Sequence, residues 1–206
     1  VFARLLFSCL LITAVFGQQQ QKYRWEVDAL AHISLSLPFA NAISVSTAKT
    51  NFVEVVYTTE GEYQKETLLS HFVDKKTVRL KEQLNPVFTP FKDKLSAHKV
   101  MATTLEISYP EQSSLSLTAG TAKIVLEGLF PKFNIQLEEG SLHLNSSFSR
   151  GKVKTNSAHI YVEKIKNPVF AHSKEGEING KTTTKQKATL FLESKRGNIF
   201  INSNRK

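Results

Sequence analysis

From Ile33 onward the chain sets apolar against polar residues in short alternating stretches: Ile33, Leu35 and Leu37, then Ile43 and Val45, then Val53, Val55 and Tyr57. A period of two, rich in β-branched side chains, marks strands with one buried face. Glu60-Gly61 and Asn85-Pro86 mark turns between them, since glycine reaches backbone angles that other residues resist and proline ends a ladder. From Glu66 to Gln83 the pattern is mixed. Leu68, Leu69, Phe72 and Val73 would share a helical face, whereas Val78 and Leu80 alternate, and the alternation assigns this stretch to strands. Residues 85–99, with Pro86, Pro90 and mixed charges, read as a long excursion before Leu105 and Ile107 resume the alternation.

Repetition dominates from Leu115 to Ile201. The central apolar residue of a Gly-x-apolar-x-apolar motif recurs at Ile124, Leu142, Ile160, Ile178 and Ile199, at spacings of 18, 18, 18 and 21. A second series, Leu117, Ile135, Val153, Ala171 and Leu190, is spaced 18, 18, 18 and 19. Neighbouring positions follow: Leu126, Leu144, Val162 and Ile201 in the first series, with Gly180 the exception, and Phe133, Val169 and Ala188 in the second, with Gly151 the exception. Two registers sharing one period define a structural repeat.

Each unit is two short strands joined through Thr118-Gly120, Glu138-Glu139-Gly140, Asn156-Ser157 or Lys174-Glu175-Gly176, all turn formers. One unit cannot cover its own apolar face, so neighbours must stack at the strand spacing of about 4.8 Å. The predicted class is all-β, either a β-solenoid-like stack or a sandwich of stacked hairpins, with an 18-residue repeat in the second half. Spacing alone leaves both open. A left-handed hexapeptide helix of the acyltransferase kind is excluded, because steps of six from Ile124 put Gln136, Lys154, Lys166 and His172 into the core.

The ends set the expected compartment. Val1-Phe2-Ala3-Arg4 is followed by an apolar run from Leu5 to Gly17, which reads as a secretory signal peptide over 1–17, too short for the ~20 residues of a membrane span. No transmembrane span is expected after cleavage. Cys9 is the only cysteine and falls in that segment, so disulfides, thiol nucleophiles and thiolate metal sites are not expected. Residues 18–32, opening with Gln18 to Gln21, read as a flexible lead-in, and 33–206 as one β-repeat domain.

The net charge of +9 is unevenly placed. Residues 150–206 hold 13 Lys+Arg against 4 Asp+Glu, while 1–149 hold 14 of each. Such asymmetry points to an acidic polysaccharide, an anionic lipid surface or an envelope protein as partner, and export argues against nucleic acid as a physiological one.

Catalytic chemistry is not legible. The histidines at 32, 71, 98, 143, 159 and 172 lack the close pairing on one face that zinc requires. Asp93, Ser96 and His98 are near in sequence, but a triad needs geometry and an oxyanion hole. Glu138 and Glu139 sit at a corner and face opposite ways. The glycines repeat with the strands and form no phosphate loop. No enzyme, cofactor or metal is therefore expected. Asn145-Ser146-Ser147 has the form of a glycosylation acceptor.

If Ile124 and Leu142 point inward, Val125, His143, Tyr161, Asn179 and Phe200 form an outward column, with Gln136, Lys154, His172 and Phe191 in another. The candidate binding surface is Lys152, Lys154, Lys164, Lys166, Tyr161, His172, Phe191 and Phe200. Exposed rings flanked by lysines could grip a sugar or a partner. Because Phe170, Phe191 and Phe200 are costly to leave wet, the N-terminal strands are expected to pack over this face as a second core layer.

Strands such as Gly140-Ser141-Leu142-His143-Leu144 and Gly197-Asn198-Ile199-Phe200-Ile201, following a signal peptide, resemble the bacterial candidate-adhesin families of β-strand repeats, domains of unknown function related to autotransporter-adhesin heads. The chain departs from that pattern at Ala158 and in the 85–99 excursion. The resemblance implies a non-enzymatic protein of the cell envelope or surface, with an adhesion or scaffolding role and no catalytic residues. The alternative is a periplasmic carrier of lipid or acidic glycan. Expected locations are the periplasm, the outer membrane or the cell surface.

Overall fold

The structure, a computed structural model, describes residues 19–61, 67–86, 101–163, 165 and 167–202. The expected signal peptide, the loop bearing Asp93 and His98, and Lys164 and Lys166 lie outside the described residues. Those described contain no helix, hence none long and apolar enough to cross a membrane. The thirteen strands are β1 (Gln19–Glu26), β2 (His32–Leu37), β3 (Ala42–Ala48), β4 (Phe52–Gly61), β5 (Thr67–Val73), β6 (Thr77–Leu84), β7 (Met101–Pro110), β8 (Ser114–Thr155), β9 (His159–Glu163), β10 (Val169–Ser173), β11 (Ile178–Asn179), β12 (Leu190–Ser194) and β13 (Ile199–Asn202).

These strands form two facing layers, and the 42-residue β8 turns corners to serve both. In the first layer β5, β6 and β2 lead to residues 114–119 of β8, while residues 151–155 of β8 lead to β12 and β10. In the second, β1, β4, β7 and β3 lead to residues 123–127, while residues 141–144 lead to β9, β13 and β11. The result is an open sandwich, not a closed barrel. The repeats pair parallel and in register, as Leu142 with Ile160 and Ile160 with Ile199. Between repeats the ladders are parallel, whereas β1, β4, β7 and β5, β6 pair antiparallel.

The alternation finds its cause between the layers. Ile33, Ile43, Val53, Leu117, Ile124, Leu142, Ile160 and Ile199 are all buried there. Where the chain crosses from the second layer back to the first, Tyr109, Phe130, Phe133 and Phe148 meet edge to face at 6.1, 6.2 and 5.4 Å, filling a corner with rings in their favoured geometry. Gly140 turns the opposite corner at φ 104°, where a Cβ would run into the Ala122 carbonyl.

Three expectations need correction. Of the expected flexible lead-in 18–32, the described residues 19–26 form a strand. Gln19–Glu26 pairs antiparallel with β4, and Tyr23 and Trp25 stack at 5.2 Å while both meet His71 of β5 at 5.1 Å, joining the edges of the two layers. An edge strand needs one ladder and one half-buried face, so the glutamines do not prevent it. Second, the N-terminal strands do not cover the outward columns. They extend the same two layers, with β2 and β3 paired in register to β8.

Third, repeats do not stack in sequence order. β12 lies between β8 and β10, and β13 between β9 and β11, so the coil at 190–202 is inserted before the coil at 169–179. The corners repeat this order: Arg196 donates to the Asn156 carbonyl at 2.7 Å and Glu175 to the Lys195 carbonyl at 2.9 Å. Burial explains the choice. Leu190, Leu192 and Ile199 are fully buried, whereas Ile178 is 39% exposed, and the coil carrying it also has Ala171 and Gly180 at repeat positions, leaving too little apolar surface for an interior place.

One buried position breaks the alternation with a charge. Glu82 is 1% exposed and accepts hydrogen bonds from the Phe39 amide at 2.7 Å and the Tyr57 hydroxyl at 2.9 Å, tying the bend between β2 and β3 to β4. Burial pushes its carboxyl above the usual glutamate range, with the Phe39 amide opposing. Burial raises the Tyr57 phenol likewise.

Candidate binding site

On the outer face of the first layer the register sets Phe191 between Lys152 and Phe170, and Glu193 between Lys154 and His172. The expected column of Gln136, Lys154, His172 and Phe191 is therefore two rows. Leu192, not Leu190, meets Val153 and Ala171, so the last step of the second series is 21 residues, matching the 21 of the first.

A groove of about 640 Å³ opens on this face, lined by Lys132, Arg150, Lys152, Lys154, Lys185 and Phe191. Ser114, Ser116, Asn134 and Gln136 also line it, with His32 at one side, where His32 Nδ1 lies 2.9 Å from Ser114 Oγ. Among the described residues Glu193 is its one carboxylate. Lys154 Nζ lies 3.7 Å from Glu193, with both side chains partly exposed, a pair worth little in water. Arg150 sits 5.8 Å from the Phe191 ring centre and Lys185 5.9 Å from that of Phe170. The groove thus carries net positive charge beside half-buried rings.

The structure brings Lys152, Lys154 and Phe191 together, with His172 two strands from Lys154 on the same face. It separates Tyr161 and Phe200, which belong to the opposite layer. There His143, Tyr161 and Phe200 stack at 4.7 and 5.0 Å with planes within 11°. Both faces of the Tyr161 ring are thereby covered by its neighbours. Partial burial, then the nearby Lys123 charge, holds the His143 imidazole below its ordinary range.

Sequence reasoning missed Lys132, Arg150, Lys185 and His32. The first two were within reach: Lys132 and Arg150 are 18 residues apart, as are Asn134 and Lys152, so the repeat itself aligns them. Lys185 comes from the irregular stretch between β11 and β12, which no period describes. Among the described residues no three His, Cys, Asp or Glu side chains are placed to hold a metal ion. Glu138 lies at a corner, its carbonyl accepting from the Ser157 amide at 2.8 Å, as a turn residue does.

No family model matches the chain, and no curated protein matches it in sequence. Among solved structures, a candidate cell adhesion protein of Clostridium sporogenes is similar with a TM-score of 0.60 at 13% identity, covering 91% of this chain and 100% of its own. A candidate adhesin of Bacteroides fragilis aligns over 89% of this chain and 97% of its own at 12% identity, with a TM-score of 0.40. The Clostridium likeness is one of fold.

Proposed function

We propose that this chain is a non-enzymatic β-repeat protein of the cell surface or envelope, exported by way of residues 1–17, that adheres to or scaffolds other surface components. The observation that carries this reading is the groove on the first layer: a broad, open sheet face with clustered cations beside aromatic rings is built to hold a partner. The Clostridium structure of the same fold, described as a candidate cell adhesion protein, supports the direction. The cations of the groove also favour the acidic-glycan form of the carrier alternative, since Lys132, Arg150, Lys152, Lys154 and Lys185 can pair with its acid groups.

Beads coated with the folded protein should be retained on immobilised cell-envelope fragments under flow, with retention falling as salt rises, because exposed charges act over about 8 Å at physiological ionic strength. Equal retention by beads bearing the heat-unfolded chain would overturn the reading.

A further inference from the structure

The basic groove is one end of a longer feature. The Arg79 guanidinium of β6 lies 5.5 Å from the centre of the exposed Phe72 ring, facing it across the β5–β6 ladder. Arg79 in turn faces Ser34 of β2, and Ser34 faces Ser116 of β8. Two further 18-residue steps lead to Asn134 and Lys152: Ser116 and Asn134 line the same groove, and the Phe133 ring against Gly151 fixes the second step in space. Lys152 then faces Phe191. The next row repeats the theme: Lys81 faces Ser36, Ser36 faces Thr118, and the same steps reach Gln136 and Lys154.

Each flank of this face therefore carries a cation beside a phenylalanine, Arg79 with Phe72 and Arg150 with Phe191. Between them, in these two rows, the outward positions of β2 and the first two coils of β8 are Ser34, Ser36, Ser116, Thr118, Asn134 and Gln136, with His32 and Lys132 alongside on the same face. Four strand spacings of about 4.8 Å separate Arg79 from Lys152, roughly 19 Å.

We propose that this outer face, from β6 to β12, binds a linear acidic polysaccharide laid across the strands. The inference rests on the adhesion reading and names what that face grips. Hydroxyl and amide side chains on the floor offer both donors and acceptors to sugar hydroxyls. Cations at each flank pair with carboxylate or sulfate groups, and Phe191 and Phe72 offer apolar surface to the C–H face of a pyranose. A flat membrane surface would meet the long cationic side chains and reach Ser34, Ser116 and Asn134 only through water, so it would make no use of them, whereas a sugar chain can contact them directly.

Calorimetry with oligouronates of graded length tests this, using their methyl-esterified forms and anionic phosphatidylglycerol vesicles as the other arms. Oligomers long enough to span both flanks should bind more tightly than short ones, and esterification should weaken binding at least tenfold. Lys152→Ala should weaken long and short oligomers alike, whereas Arg79→Ala should cost roughly tenfold for long oligomers and leave short ones unchanged. Both positions are exposed, and unchanged thermal midpoints verify folding. Esterified and free acids binding equally, Arg79→Ala binding long oligomers as the parent does, or vesicles retaining the protein while uronates do not, would each overturn the assignment. If coated beads still adhere to envelope fragments while every uronate fails, the adhesion reading stands and this site falls alone.

Discussion

The ring of Phe133 occupies the space that a Cβ on Gly151 would need, with Leu190 Cδ1 2.8 Å from the same point. Gly151, the exception in its apolar series, is thus the place where one coil yields room to the large residue of its neighbour. Gly151→Ala should destabilise by about 1–3 kcal/mol through overpacking, read as a lower denaturant midpoint, and Phe133→Leu in the same chain should restore part of the loss.

The register can be read from two adjacent residues. Ile160 is fully buried, so Ile160→Asp leaves an uncompensated charge in the core and should cost about 3–5 kcal/mol or prevent folding. His159 points outward and its Nδ1 accepts from the Asn198 amide at 3.1 Å, a bond an aspartate can also accept. His159→Asp should stay within about 1 kcal/mol. Equal losses in urea titrations would place the wrong face inward.

Glu82 makes stability depend on pH in a stated direction. Its carboxyl is raised in the fold, so in the window from the usual glutamate range up to that raised value the native state binds more protons than the unfolded one. Its contribution is then fully present at low pH and is lost as pH rises through the window. Glu82→Gln should flatten this part of the stability–pH curve. Tyr57→Phe, by removing a donor to Oε1, should lower stability by about 1–3 kcal/mol, most at higher pH, where the carboxylate is charged.

Equivalent repeat positions should not be energetically equivalent. Ile178 and Ile199 face each other across one parallel ladder, yet the first lies in the edge coil and the second inside the stack. Ile199→Ala should cost about 2–5 kcal/mol, whereas Ile178→Ala should stay near 0.5 kcal/mol, as surface changes do. Chemical denaturation of the two variants decides it.

The strands and their faces were legible because burial between two layers imposes a period of two on Ile33, Leu35, Ile124 and Leu142, and stacking imposes a period of 18 on the coils. Neighbour order was not, because a period fixes how coils align and is silent on which coil lies beside which. Only the burial demand of Leu190 and Ile199 against the poorer Ala171, Ile178 and Gly180 distinguishes them. Strand β1 was hidden because backbone hydrogen bonds, blind to side chains, hold Gln19 to Gln21. Lys152 and Lys154 follow the repeat into the groove, while Tyr161 and Phe200 lie on the other layer, because the two series of the repeat build the two layers. The second flank at Arg79 lay beyond any repeat, reached only through the pairing of β6 with β2.

The inserted coil ties folding to the order in which the chain becomes available. Strands β10 and β11 pair only with β12 and β13 among the described strands, and β9 meets β13 on its outer side, so this end of the stack cannot close until residues 190–202 arrive. A chain delivered from its N-terminus must hold residues 169–179 in waiting. High contact order of this kind slows folding. The stack is thus locked from its C-terminal coil: residues 169–179 have no finished partner until residues 190–202 are in place.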